Sequence, residues 1–316
     1  MWRFIFKRLA ATILVVVAAS ILTFGILHLT PGTTPVTILK YAFIGLEEIP
    51  TDAEITEITA RYKLSDPLYK QYYRWIKQAV QGNLGDSYVY RVPVAELIRL
   101  RFPATALLAA LSVALSLLIA IPLGILCAVK RNSFFDHLGR ISALFAVSMP
   151  SFWLAYLLII SFSLGFDLFP VAGFRSVPSL VLPCVTLAAG MGAVTMRIMR
   201  SSMLDVMSQD YILTARAKGL YETGVVSKHA LKNAFLPVVT VVGLQFGHML
   251  GGSVIVETVF AWPGIGKLLI DSIFAKDIPM VQGCILLIAM TYALVNLLVD
   301  LSYALMDPRI RYGRES

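Results

Sequence analysis

The chain has 316 residues, of which 58% are hydrophobic and 15% charged. A soluble domain carries about 25% charged and 45–50% apolar residues, so the composition excludes an ordinary soluble enzyme. The net charge of +8 gives no nucleic-acid partner, because the basic residues fall between long apolar blocks.

Six blocks are apolar over a length that crosses a bilayer, which takes roughly 20 residues in a helix. They are 9–30, 103–129, 141–166, 180–198, 236–256 and 281–305. None alternates as barrel strands do, and inside lipid a helix satisfies its own backbone. The predicted fold class is an all-α integral membrane protein with six transmembrane helices.

In chain order, residues 1–8 form a short amphipathic lead-in with Arg3, Lys7 and Arg8. The first block is longer than a signal-peptide core and lacks a small-residue cleavage site, so it reads as a retained helix. Residues 31–102 carry charges of both signs and read as an external helical region. Thr51 and Glu54 suggest a capping box. "SDPLYKQYYRWIKQAV" reads as a second helix, started at Ser65 or Asp66 and stopped by Gly82. Tyr69, Tyr72, Tyr73 and Trp75 suit the outer membrane interface, with an aromatic binding cage as the sharper alternative.

Lys130, Arg131 and Arg140 follow the second block. Arg197, Arg200, Arg216, Lys218, Lys228 and Lys232 cluster around residues 199–235, and Arg309, Arg311 and Arg314 lie in the tail at 306–316. Basic residues collect on the cytoplasmic side, so both termini and the 199–235 segment are predicted inside. Within that segment Met203, Val206, Met207, Tyr211 and Thr214 share one helical face, Gly219 breaks the helix, and a second helix runs up to Pro237, which opens the fifth span.

The fifth span has Gly243, Gly247 and Gly251 on one face, a spacing that lets two helices approach closely. Gln245 and His248 lie on another face and are candidates for lining a translocation pathway, with a helix–helix hydrogen bond as the plainer reading. Asn296 and Asp300 suit a helix–helix contact. Residues 257–280 read as an external turn and short re-entrant helix, with Pro263 and Gly264 in the turn and Ile265, Leu268, Leu269 and Ile273 on one face.

Chemistry-bearing motifs are missing. There is no H-E-x-x-H, no G-x-S-x-G and no G-x-x-x-x-G-K-[ST] phosphate loop. No catalytic or metal-ligating residue is assigned. Cys127, Cys184 and Cys284 lie in or at the end of apolar blocks and read as packing residues. If solute moves uphill, the energy comes from an ion gradient or from another subunit.

"DYILTARAKGL" with "HALKNAFLP" resembles the cytoplasmic coupling loop, or EAA loop, of ABC importer permeases. The N-terminal "FKRLAATILVVVAASILTFGILHLTPG", then "PVAELIRLRFPATALLA", "SMPSFW", "RSSMLDV", "ETVFAWPGIG" and "LLVDLSYALMDPRIR" are similar to the peptide and nickel branch of that family, over essentially the whole chain. The resemblance implies a type I ABC importer permease fold, with the permease domain at 95–305, in a bacterial inner membrane. It implies a second homologous permease, two ATP-binding subunits that use ATP and Mg, and an external solute-binding protein. The chain itself would hold no cofactor and hydrolyse no ATP.

By position, the resemblance carries the ATPase-coupling role to Ala215, Arg216, Ala217, Lys218, Gly219 and Leu220. The glutamate that names the motif would fall at Leu213 and is absent here. The short loop between the third and fourth spans and "FAWPG" resemble nickel or metallophore permeases, and that resemblance puts nickel, as ion or chelate, first among substrates. A dipeptide or oligopeptide is next. An autonomous ion-coupled carrier is more remote, because helices one to four carry almost no mid-membrane charge.

Overall fold

The computed structural model describes residues 2–29, 51–61 and 65–306. Among them all regular structure is helical, apart from one isolated bridge between Asp86 and Pro93. The helices are α1 (Trp2–Leu29), α2 (Asp52–Arg61), α3 (Leu68–Val80), α4 (Val94–Val129), α5 (Phe134–Ser148), α6 (Ser151–Leu158), α7 (Val181–Met207), α8 (Asp210–Ala217), α9 (Glu222–Gly224), α10 (Leu231–Val259), α11 (Ile265–Phe274) and α12 (Ile278–Met306). The basic tail residues Arg309, Arg311 and Arg314 and the side chain of Glu54 lie outside the described residues.

Among the described residues five helices are long and apolar enough to cross a membrane, and six spans result if the bent pair Phe134–Ser148 and Ser151–Gly165 counts as one. That pair differs from the single straight helix expected over 141–166. The chain turns by 104° between Ser148 and Ser151. Met149 sits at φ −83° and ψ 123°, because the ring of Pro150 clashes with a helical residue before it. The arms, Phe134–Ser148 and Ser151–Gly165 (α6 plus a π-helical stretch Ile159–Gly165), have 15 residues each, roughly 22 Å of helix, which alone falls short of a hydrocarbon core of about 30 Å.

A second difference concerns Pro237. It lies inside α10 rather than opening it. The helix starts earlier because α9, a π-helical stretch Val225–Ala230 and α10 follow one another without a break. The missing amide of Pro237 costs α10 one bond to the Asn233 carbonyl.

The chain divides into two compact units. The larger comprises residues 1–5, 106–262 and 295–316. Its packing centres on α7, which lies against α5, α6 and α10. One apolar cluster joins Ala120, Cys127, Ala143, Ala193 and Met196. Another joins Ala155, Ile159, Leu182, Val256 and Phe260. Trp262 is fully buried and its ring lies 4.7 Å from that of Phe174.

The smaller unit comprises residues 6–105 and 263–294. Val94 and Ile98 of α4 pack with Ile265, Leu268 and Leu269 of α11 and with Met280, Val281 and Cys284 of α12. Ile273 was expected on the same face of α11 but is exposed. The first amide of α11, at Ile265, donates to the Thr105 hydroxyl at 2.8 Å.

Asp277 is the polar centre of this unit and is fully buried. It caps α12 by accepting from the Met280 amide. It also accepts from the Ser87 hydroxyl and from the amides of Tyr88 and Val89. One carboxylate therefore ties residues 87–89 to the start of α12 and satisfies groups that burial would otherwise orphan. Asp277→Ala should cost about 3 kcal/mol, from a lost cap and several unpaired donors. Limited proteolysis of the purified chain should then cut first within residues 82–93, whereas Asp277→Asn, which keeps an acceptor, should resist longer.

Candidate functional site

The segment between α7 and α10 is built from two helical pieces, not the single helix expected up to Gly219. Ser208 ends α7, and Gln209 is extended at φ −79° and ψ 148° before α8 begins. The break redistributes the face read from spacing. Met203 and Ile212 are fully buried, whereas Tyr211 and Thr214 are exposed.

Ile212 and Ala215 form the inner face of α8. They pack with Met199 and Met203 of α7, Ala128 of α4, Val225 and Ala230 of the π-helical stretch, and Ala234 and Val238 of α10. Ala215 is small because it sits in this cluster. Ala217, Lys218, Gly219, Leu220 and Tyr221 are exposed, as is Leu213. Asp210 in the first turn and Arg216 in the last both complement the helix dipole.

The C-terminus of α8 is a Schellman motif. The Gly219 amide donates to the Arg216 carbonyl at 2.9 Å and the Leu220 amide to the Ala215 carbonyl at 3.4 Å. Gly219 adopts φ +77°, a conformation open to glycine at no steric cost. Across this turn Arg216 forks onto Glu222, at 2.6 and 3.1 Å. The carboxylate's hydrogen bonds hold the guanidinium pKa above its usual value. The pair is half exposed and contributes roughly 0–1 kcal/mol. Its effect is geometric: with the hydrogen bond from Asn233 to the Tyr211 hydroxyl, 2.8 Å, it sets the angle between α8 and the helix that follows.

A feature missed from sequence lies one turn before Met203. Arg200 of α7 makes a two-pronged ion pair with Asp136 in the first turn of α5, at 2.5 and 2.7 Å. The Asp136 carboxylate is fully buried and also accepts from the Asn132 amide at 2.9 Å. The two residues are 64 positions apart, and nothing in their spacing points to a pair. Arg200 had counted only as a charge setting topology.

The polar and glycine positions of α10 are resolved in part. A Cβ at Gly243 would overlap the Val299 side chain of α12, so that glycine does allow close helix approach. Gly247 is buried, while the surroundings of Gly251 and the side chain of His248 lie outside the described residues. Among the described residues the buried Gln245 Oε1 finds no hydrogen-bond partner, and neither does Asn296 Oδ1 on α12. A cavity of about 360 Å³ lies between α10 and α12, lined by Leu236, Thr240, Gly243, Phe246, Val295 and Val299 among others. Gln245 is not among its lining residues.

Residues 120–312 match the family described as binding-protein-dependent transport system inner membrane component. Residues 1–109 match the N-terminal family of the same membrane component. The glutathione transport system permease protein GsiC of an Escherichia coli strain is 43% identical over 313 residues, covering 99% of this chain and 100% of that protein. Its counterpart in Shigella dysenteriae is 42% identical with the same coverage. Among solved structures, a chain of the MetNI methionine ABC transporter in an inward-facing conformation aligns with a TM-score of 0.57 at 19% identity. That alignment covers 67% of this chain and 96% of the other, and it speaks for the fold.

Arg200→Ala should strand a buried carboxylate and destabilise the chain by roughly 3–5 kcal/mol. The midpoint of heat-induced aggregation in detergent should fall by several degrees. Asp136→Asn combined with Arg200→Gln, which buries no charge, should fall less than Arg200→Ala.

Proposed function

The chain belongs to the binding-protein-dependent transport family as an inner-membrane permease subunit of an ABC importer, and we propose that its importer takes up a small peptide of the glutathione type. The observation that carries this reading is the full-length identity of 43% with permeases named for glutathione transport. Nickel, ranked first from the sequence, gains no support from these relatives. Met199 and Met203 are fully buried in the apolar cluster under α8, where they act as packing. The peptide alternative moves to first place.

In this reading the segment between α7 and α10 faces the cytoplasm, as do both termini, in keeping with its basic residues. The exposed side of α8 and the turn that follows it, with Leu213, Ala217, Lys218, Leu220 and the half-buried Arg216, meets a groove on an ATP-binding subunit. ATP and Mg are held there, not in this chain. Two such ATP-binding subunits serve this permease and a second homologous permease, and an external solute-binding protein delivers the peptide.

Movement of α8 is passed on by contact. Ile212 and Ala215 press on α7 and α10 through one packed cluster, and packed interiors transmit displacement rather than absorb it. The Schellman turn at Gly219 and the Arg216–Glu222 pair keep α8 at a fixed angle, so the piece moves as a rigid body. Gln245, whose buried oxygen has no partner among the described residues, and His248 supply polar groups on α10 for the translocation pathway.

Gly219→Pro tests coupling. Proline locks φ near −65° and has no amide to donate, so neither feature of the Gly219 turn survives. Membrane insertion should be unchanged, while solute uptake and solute-stimulated ATP hydrolysis fall to background; normal uptake would sink the coupling role. Substrate is tested with the complete importer in proteoliposomes. Glutathione or a dipeptide should be accumulated and should compete with one another. Accumulation of nickel that neither peptide inhibits would overturn the peptide reading and leave the permease assignment standing.

A further inference from the structure

One stretch of α7 has two faces with different neighbours. Met199 and Met203 form the bed on which Ile212 and Ala215 of α8 rest. Met196, one turn earlier, belongs to the other cluster, with Ala143 of α5 and Cys127 of α4. At about 100° per residue, Arg200 lies roughly 40° from Met196 and about 60° from Met203, so it stands where the two faces meet. Its guanidinium forks onto the fully buried Asp136 of α5, at 2.5 and 2.7 Å. Asp136, Gly139 and Ala143 share one side of α5. A Cβ at Gly139 would lie 2.5 Å from Cys127 Sγ, and one at Gly124 of α4 would lie 2.7 Å from Met199 Cβ. Helices α4, α5 and α7 therefore meet here at close range.

The same carboxylate accepts from the Asn132 amide at 2.9 Å, and Asn132 is held at φ +61°. One side chain thus ties together the turn that leaves α4, the first turn of α5 and the end of α7 that carries α8. Apolar contact holds helices together without fixing direction. A two-pronged bond to a planar guanidinium fixes both distance and angle. Stability is a poor reason for such a pair, because exchanging a buried ion pair for apolar groups of similar volume is often neutral or stabilising. What that exchange would lose is the fixed register of α5 on α7, one turn from the bed of α8.

We propose that Asp136 and Arg200 are positioning residues for coupling: their pair makes α5 follow α7 when α8 is displaced, so that movement made at α8 reaches the bent arms of α5 and α6. From there Ala155 and Ile159 pass it on, packed on Leu182 of α7 and on Val256 and Phe260. This role rests on the reading of α8 as the piece that meets an ATP-binding subunit. It is independent of which solute is carried.

The test uses the complete importer in proteoliposomes and reads solute accumulated per ATP hydrolysed, a ratio that does not depend on how much of the preparation is folded. The solute is glutathione, or nickel should wild type accumulate that instead. Asp136→Asn with Arg200→Leu breaks the pair, buries no charge and keeps an acceptor for the Asn132 amide. Its ratio should fall about fivefold or more, the low end of coupling between sites, while basal ATP hydrolysis stays within about twofold of wild type. Arg200→Lys, which keeps the charge but not the fork, should give a ratio between the two. A wild-type ratio in the broken pair, whatever the absolute rates, would make the pair a stabiliser only and overturn the proposal. So would an Arg200→Lys ratio no higher than that of the broken pair. Should the broken pair not assemble, Arg200→Lys alone decides, and a wild-type ratio there counts against the proposal. Gly219→Pro, run alongside, separates the two readings. If it transports normally, the coupling role of α8 falls and this role with it. If it does not, while the broken pair keeps the wild-type ratio, only the role of the pair falls.

Discussion

Burial of Ile212 and Ala215 decides what the segment between α7 and α10 can do. Without that contact, α8 would be an eight-residue helix, too short to hold together in water by itself. Packed on Met199, Met203, Val225 and Ala230, it becomes an outward extension of the helices around it. Its polar and exposed groups thereby stand on a firm base. The turn at Gly219 and the fork of Arg216 on Glu222 add direction to a piece whose stability comes from apolar contact.

Apolar spacing made most of this architecture readable. Long apolar blocks predict membrane helices because lipid leaves the backbone no other partner, and the structure has helices at each block. Gly219 was legible as a helix stop because few other residues adopt its conformation cheaply. The break at Met149–Pro150 had a signal in Pro150 itself, but the apolar length of the block, enough for one full span, outweighed it. The break at Gln209 was hidden for a different reason: Met203, Val206 and Met207 continue into Tyr211 and Thr214 with helical spacing, and only the burial of Ile212 shows that the axis has changed.

Polar pairing was illegible for a general reason. Asp136 and Arg200 are 64 residues apart and Ser87 and Asp277 are 190 apart. Each looks, alone, like an ordinary charged or loop residue near the end of a helix. Their value comes from meeting in a buried place where an unpaired carboxylate would be costly. Sequence periodicity carries information about which face is buried, but not about which distant polar groups meet there. The small residues of the α8 motif show the same limit: Ala215 is small for packing within this chain, whereas Ala217 is exposed, and only the structure separates the two.

The carboxylate of Asp277 has a consequence in time. The smaller unit is assembled from residues 6–105 and 263–294, so its two halves leave the ribosome in separate episodes. Through the synthesis of everything between, Val94, Ile98 and the amides of Tyr88 and Val89 lack the partners they have in the finished chain. Closing such distant contacts is slow, because loop entropy is lost before the contact forms. The unit is therefore completed only when α12 is inserted, and a nascent chain stopped before residue 277 would display a half-built surface for quality control to recognise.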